Sequence, residues 1–302
     1  NERDKPLVSR ALGAYYIPGS TFKTVTMTAA FIAGEQDTEF VCSGGGYYAA
    51  PGANVIFDDA GPAEVHGKIG IDHAYEVSCN QYFAQMGVKL GAERIKRAAQ
   101  LLGIGSYDTP SEALRGRKQP QIWDASTDAV KRALAPREAT IVTGKQVTRY
   151  DLALIGYGQG YAGQMTPFQM ALAAATVGNM EGKLMKPKIE LDRPNEMFSQ
   201  VLTPAQAQTV RGIMHLVTEG GTANSVMAPV KAAGIRSGGK TGTAETGIEG
   251  LNTTWFIAYA GKARPEVAIA VVVEQQHSTG GRTAAPVARE VLQALLGPAA
   301  NS

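Results

Sequence analysis

The chain has 302 residues, 44% of them apolar, enough for a substantial core in one large domain or two small ones. A formal net charge of +2, with no long run of lysine and arginine, leaves no electrostatic footprint for nucleic acid. No apolar stretch approaches the roughly 18 residues needed to cross a bilayer.

The sequence begins at Asn1 with no signal peptide, which reads as an excised or processed segment. Its first strong helix signal is Ile17-Pro18-Gly19-Ser20. Ser20 is expected to cap a helix over residues 21–32, a mostly apolar run without a polar face, and so a buried central helix. Ser20-Thr21-Phe22-Lys23 is an S-x-x-K element. Residues three apart face each other on a helix, so Lys23 should rise beside Ser20. A serine hydroxyl is a weak nucleophile until a base takes its proton. A lysine serves as that base where burial and a nearby cation lower its pKa. The apolar helix would supply the burial and Lys240 the repulsion. Taken alone, the tetrapeptide reads better as a capping serine followed by a snorkelling lysine.

Residues 34–66, rich in Gly, Asp and Pro, read as loops with short strands. Cys42 and Cys79 are too few for a disulfide framework and are expected to be free buried thiols. With His66 and His73 they raise a zinc site. No C-x-x-C pair or H-E-x-x-H helix supports one, so neither metal nor other cofactor is expected.

Residues 70–102 carry a helical apolar pattern through Ile71, Tyr75, Tyr82, Phe83, Met86, Leu90 and Ile95, ended by Gly103 and Gly105. Within it lies Ser78-Cys79-Asn80, the only S-x-N of the chain. The Ser78 hydroxyl could relay a proton to a leaving amine. The Asn80 amide could hold Lys23 or a substrate carbonyl. A polar helix face is the alternative. Residues 106–150 are ambiguous. Residues 167–179 and 203–218 read as helices, each with a proline in its first turn.

The stretch GIRSGGKTGTAE, residues 234–245, can be parsed two ways. Its first eight residues fit the phosphate-binding loop G-x-x-x-x-G-K-[ST]. That loop needs a strand before it and a helix after it. Residues 226–233 contain Pro229, which argues against a central strand. The GTAETGIEG that follows Thr241 has three glycines, a poor helix. The nucleotide reading therefore fits as text and fails in context. Lys240-Thr241-Gly242 also fits the K-T-G element of serine acyl-enzymes. Ser237-Gly238-Gly239-Lys240 repeats S-x-x-K, but Gly-Gly breaks a helix. Residues 254–260 and 267–274 then predict an antiparallel hairpin joined by GKARPE, and residues 284–296 a closing amphipathic helix. This order predicts an α+β fold, an antiparallel sheet flanked by helices.

Three weak elements in the order S-x-x-K, S-x-N, K-T-G are much stronger together. On them, and on LVSRALGAYYIPGSTFK, HGKIGIDHAYEVSCNQYFAQMG, GYGQGYAGQMTPFQMALAAATVGN, TEGGTANS, WFIAYA and GGRTAAPVAREVL, the chain resembles the transpeptidase domain of penicillin-binding proteins. It is most like the class B, monofunctional kind. The resemblance implies one domain over 1–302 with a mostly helical subdomain over roughly 24–200. It would lack the family's first strands, membrane anchor and pedestal. It implies Ser20 as the acylated nucleophile, Lys23 as its base, and Ser78 and Asn80 as the second element. Lys240, Thr241 and Thr243 would bind a terminal carboxylate from an edge strand, with Gly242 allowing close approach. The backbone N–H groups of Ser20 and Thr243 would form the oxyanion hole. Ile17 and Thr254 depart from the family, which commonly has Pro and often His there.

The implied function is a serine D,D-transpeptidase that cross-links peptidoglycan stem peptides and is acylated by β-lactam antibiotics. The alternatives are a serine β-lactamase or β-lactam sensor of the same fold, a D,D-carboxypeptidase, a non-catalytic cell-wall scaffold, or the nucleotide hydrolase. Class A β-lactamases use a dedicated Glu to activate the deacylating water, and no such Glu is identifiable here. The implied setting is the outer face of the bacterial inner membrane, through an anchor absent from this chain, with a glycan polymerase as a further partner.

Overall fold

The computed structural model describes residues 9–115, 120–134 and 136–297. Its largest sheet has three antiparallel strands, Arg236–Glu245, Asn252–Gly261 and Val267–Gln276, in that spatial order. The first two pair without interruption from Arg236↔Gly261 to Glu245↔Asn252. The middle strand is buried along almost its whole length, which is why residues 254–260 read as a continuous apolar run rather than an alternating one. The helices Pro167–Gly178 and Ala284–Leu296 pack on the middle and outer strands, and the helix Pro204–Glu219 lies along the edge strand. Thr203 caps this last helix in a capping box with Gln206. The mixed architecture expected from the sequence is present.

The helix Lys23–Ala33 is buried at every position from Lys23 to Phe31 and packs against the helices Asn80–Leu101 and Arg149–Tyr157. Its threonines are satisfied inside the core. Thr24 Oγ1 and Tyr75 OH are 2.7 Å apart, Thr26 donates to Gly156 O and Thr28 to Thr24 O. One continuous apolar cluster runs from Phe22 to Leu296, so helices and sheet share a core.

The structure corrects or completes the sequence reading at four places. Ser20 does not cap the buried helix. It lies within a 3-10 turn, Gly19–Phe22, that continues into the helix at Lys23. The pattern over 70–102 is broken twice, between Ile71–Glu76 and Asn80–Leu101 and again at Gly91, whose φ is 71° and ψ 170°. Apolar periodicity reports the buried face and does not register a single left-handed residue. Residues 226–233, weighed as the strand of a phosphate loop, lie within the helix Asn224–Ala232 apart from Ala233, its cap. Finally, the ambiguous 106–150 segment contributes to a short parallel pair, Gly105–Tyr107 with Thr140–Val142. Residues 34–66 hold one short strand, Phe40–Cys42, which pairs with Gly67–Ile69. Leu7 and Val8, which open the resemblance, lie outside the described residues. Among the described residues no helix is long and apolar enough to cross a membrane.

Candidate active site

Three glycines bring the Ser20 turn against the sheet. Gly19 takes φ +51°, and a Cβ there would lie 2.6 Å from Thr243 O. A Cβ on Gly242 would lie 2.9 Å from Thr21 Cγ2, and one on Gly158 would collide with Gly19 O. The turn is thus wedged between the edge strand and the end of the helix Arg149–Tyr157, where only hydrogen fits. Trp255, on the middle strand, donates from Nε1 to Ile17 O at 2.9 Å and holds the approach to the turn. Ser20 is left half-buried at the junction of helical layer and sheet.

Lys23 is fully buried. Its Nζ donates to Ser78 O at 2.5 Å and Asn80 Oδ1 at 2.7 Å, and lies 3.1 Å from Ser78 Oγ. Among the described residues no hydrogen bond joins Lys23 to the Ser20 hydroxyl. The lysine therefore links the S-x-x-K turn to the S-x-N turn. Burial pushes its pKa down to about 8, and the charges of Asp59, Cys79, Asp58 and Glu64 pull against that fall.

Ser78 is not on a helix face. It takes φ +66°, uncommon for a residue with a side chain, in the break between the two helices. Both its carbonyl and its hydroxyl contact Lys23 from there. Asn80 opens the long helix, and its amide orientation is set from behind. Nδ2 donates to Asp59 Oδ1 at 3.1 Å and Phe57 O at 3.3 Å, which leaves Oδ1 to accept from Lys23. Asp58 accepts from the backbone N–H groups of Asn80 and Gln81, supplying a cap from another segment.

Lys240 is also fully buried, with Nζ 5.5 Å from the Tyr75 ring centre. Burial, then the charge on Lys23, holds its pKa well below the ordinary lysine value. The expected repulsion between the two lysines thus falls on Lys240 rather than on Lys23. The group that keeps its proton more readily charges first, and its neighbour bears the cost. Thr241 Oγ1 lies 2.8 Å from Thr222 Oγ1, and Thr243 Oγ1 accepts from Gly280 N–H at 3.2 Å. These residues line the edge strand expected to carry them. His215 and Thr218 cover the start of that strand by bonding Ser237 O.

The nucleotide reading fails on geometry. Lys240 and Thr241 sit inside a strand that ends at Glu245, and a helix precedes it. No helix N-terminus follows the motif to hold a phosphate.

The residues weighed for zinc are only partly brought together. Cys42 and Cys79 are free and buried as expected, but their sulfurs lie 2.9 Å apart. Ligand atoms of Asp58, His66 and Cys79 all lie within 4.8 Å of one another. His66 Nδ1 is buried without a hydrogen-bond partner. Carboxylate, imidazole and thiol donors are a set that could hold a divalent cation such as zinc. His73 is not part of it and pairs with Glu76. The fold draws these donors from separate segments, a grouping that spacing within one segment does not display. Asp58 and Asp59 gave no sequence signal. Thr222 and Gly280 lie in segments that carried the resemblance, although their contacts could not be read there.

A family model of the penicillin binding protein transpeptidase domain matches residues 1–293. The chain is 30% identical over 313 residues to a peptidoglycan D,D-transpeptidase, PbpA, of Mycolicibacterium smegmatis, covering 98% of this chain and 58% of that protein. It is 29% identical to the PbpA of Mycobacterium tuberculosis, covering 96% and 57%. The chain thus spans less than three fifths of the length of these relatives. Among solved structures it is similar to penicillin-binding protein A from M. tuberculosis as its imipenem acyl-enzyme complex, with a TM-score of 0.73 and 26% identity over 97% of this chain and 63% of that one. The fold is also that of a D,D-transpeptidase domain from Eggerthella lenta, with a TM-score of 0.75 and 24% identity over 98% and 70%.

Proposed function

The chain belongs to the penicillin-binding protein transpeptidase domain family, and we propose that it is a serine D,D-transpeptidase that cross-links peptidoglycan stem peptides. The observation that carries this reading is the convergence of Lys23, Ser78 and Asn80 in one hydrogen-bonded group beside a Ser20 turn wedged against Thr243.

In this reading Lys23, as the neutral amine, takes the proton from Ser20 Oγ. The oxygen attacks the carbonyl of the terminal D-Ala-D-Ala bond. The developing oxyanion accepts from the N–H groups of Ser20 and Thr243. Ser78 Oγ, in reach of Lys23, passes the proton to the leaving amine, and an ester on Ser20 remains. An acceptor amine from a second stem peptide then attacks the ester, and the protons return by the same route. Lys240, Thr241 and Thr243 hold the substrate's terminal carboxylate, and Gly242 lets its backbone approach the strand. β-Lactams enter as covalent ligands of Ser20. Because the substrate is cell-wall material, the site works outside the cytoplasmic membrane, and a glycan polymerase is the natural source of its strands.

Intact-mass measurement and peptide mapping after penicillin G treatment test this. One adduct on Ser20, persisting for many minutes, is expected, and nitrocefin turnover should stall after about one equivalent. An adduct on another serine would reject the assignment. Sustained nitrocefin hydrolysis at Ser20 would make the protein a β-lactamase.

A further inference from the structure

We propose that the cavity beside the start of the edge strand binds a ligand carrying a phosphate or diphosphate group. It has a volume of about 670 Å³, within the size range of small-molecule sites. None of the residues assigned above to acyl transfer lines it.

Its lining is one-sided in charge. Arg211 and His215 come from the helix Pro204–Glu219, Arg236 from the edge strand, and Lys262 and Arg264 from the hairpin loop, and no carboxylate is among them. Among the described residues Arg236, Lys262 and Arg264 form no ion pair with a carboxylate within 4.0 Å. Two carboxylates stand beside the lining: Glu219, 3.7 Å from His215 Nε2 and already bonded to Lys231, and Glu266, whose Oε1 accepts from the Lys262 backbone N–H at 3.0 Å. Arg211 donates one N–H to Asn179 O at 3.2 Å, which leaves the rest of its fork free. The four cationic side chains, Arg211, Arg236, Lys262 and Arg264, outnumber these two carboxylates, and a multiply charged anion relieves the remaining repulsion.

A second observation points the same way. Ser237 lines the cavity, is 5% exposed, and its hydroxyl has no hydrogen-bond partner among the described residues. The hydroxyl is therefore left to donate to whatever occupies the cavity. Tyr259, Pro204 and Pro265 supply an apolar wall. Guanidinium forks match the paired oxygens of phosphate in two-point contacts. Three arginines and a lysine also exceed what one carboxylate would need.

The test is calorimetric titration of inorganic pyrophosphate into the full chain at constant ionic strength, with citrate as a polycarboxylate comparison. Saturable pyrophosphate binding is expected, at least tenfold tighter than citrate and at least tenfold weakened in Arg236→Ala/Arg264→Ala. Both substituted side chains are exposed, so the variant should keep its melting temperature and its penicillin labelling. No binding by the wild type, equal binding by the variant, or citrate binding as tightly as pyrophosphate would each overturn the proposal. Flotation with phosphatidylglycerol vesicles separates the sources. Arginine-dependent retention identifies a lipid headgroup, and pyrophosphate binding without retention identifies a soluble phosphate. Penicillin labelling is read independently, so failure here and failure of the acyl-transfer reading are distinguishable.

Discussion

Lys23 must be neutral to accept a proton, yet it is surrounded by three oxygen acceptors that favour its charged form. Burial decides the balance and brings its pKa to about 8. About a tenth of the molecules would then carry the neutral amine at pH 7, about half at pH 8 and nearly all above pH 9. Acylation by a fluorescent penicillin should therefore rise roughly tenfold per pH unit below 8 and level off above it. A flat rate from pH 6 to 9 would remove Lys23 as the base. Asp59 is the strongest of the charges that raise this pKa, and it also orients Asn80. In Asp59→Asn the side-chain oxygen can still accept from Asn80, but the charge is gone. The rising limb should move to lower pH with little loss of the plateau rate. An unmoved limb would mean that Asp59 acts on orientation alone.

The element that matters most is the 3-10 turn Gly19–Phe22, because its place between strand and helix is dictated by missing side chains. Gly19→Ala would meet two penalties, a left-handed φ and a contact with Thr243 O. Together these should cost about 1–3 kcal/mol in urea denaturation. Labelling at Ser20 should fall at least tenfold, because the turn can relieve the contact only by leaving the strand. A variant labelled at the wild-type rate would show that this wedge does not set the geometry. The S-x-N turn is built the other way. Ser78 holds a positive φ in spite of its side chain, and the fold retains it where its oxygens reach Lys23.

At the scale of the molecule, the apolar cluster joins Phe22, Tyr75 and Tyr82 of the helical part to Trp255, Phe256 and Leu292 of the sheet and closing helix. A shared core favours one transition over two. Far-ultraviolet circular dichroism and tryptophan fluorescence should give coincident unfolding curves, and separated midpoints would show that the helical part folds alone. Acylation should raise the midpoint, since the proposed ester lies where the two layers meet.

Much of this molecule could be read in its sequence. The buried helix after Ser20, the late helices, the antiparallel hairpin and each of the three short elements depend on spacing within a few residues. That is the range over which hydrophobic period, capping and glycine placement act. The same local signals argued against a phosphate loop at Lys240, whereas its place on an edge strand came from the family resemblance. They did not find the break at Ser78, because one left-handed residue between two apolar helices leaves the period intact. They did not find Asp58 and Asp59, or the grouping of Cys42, Asp58, His66 and Cys79. Local spacing set Lys23 beside Ser20 and could not show that its bonds reach 55 and 57 residues along the chain, to Ser78 and Asn80. A sequence pattern states which faces are buried, because burial follows from composition and period. Which polar groups meet inside is settled only when separate segments pack, since a buried donor must then be satisfied by whichever acceptor the packing brings within reach.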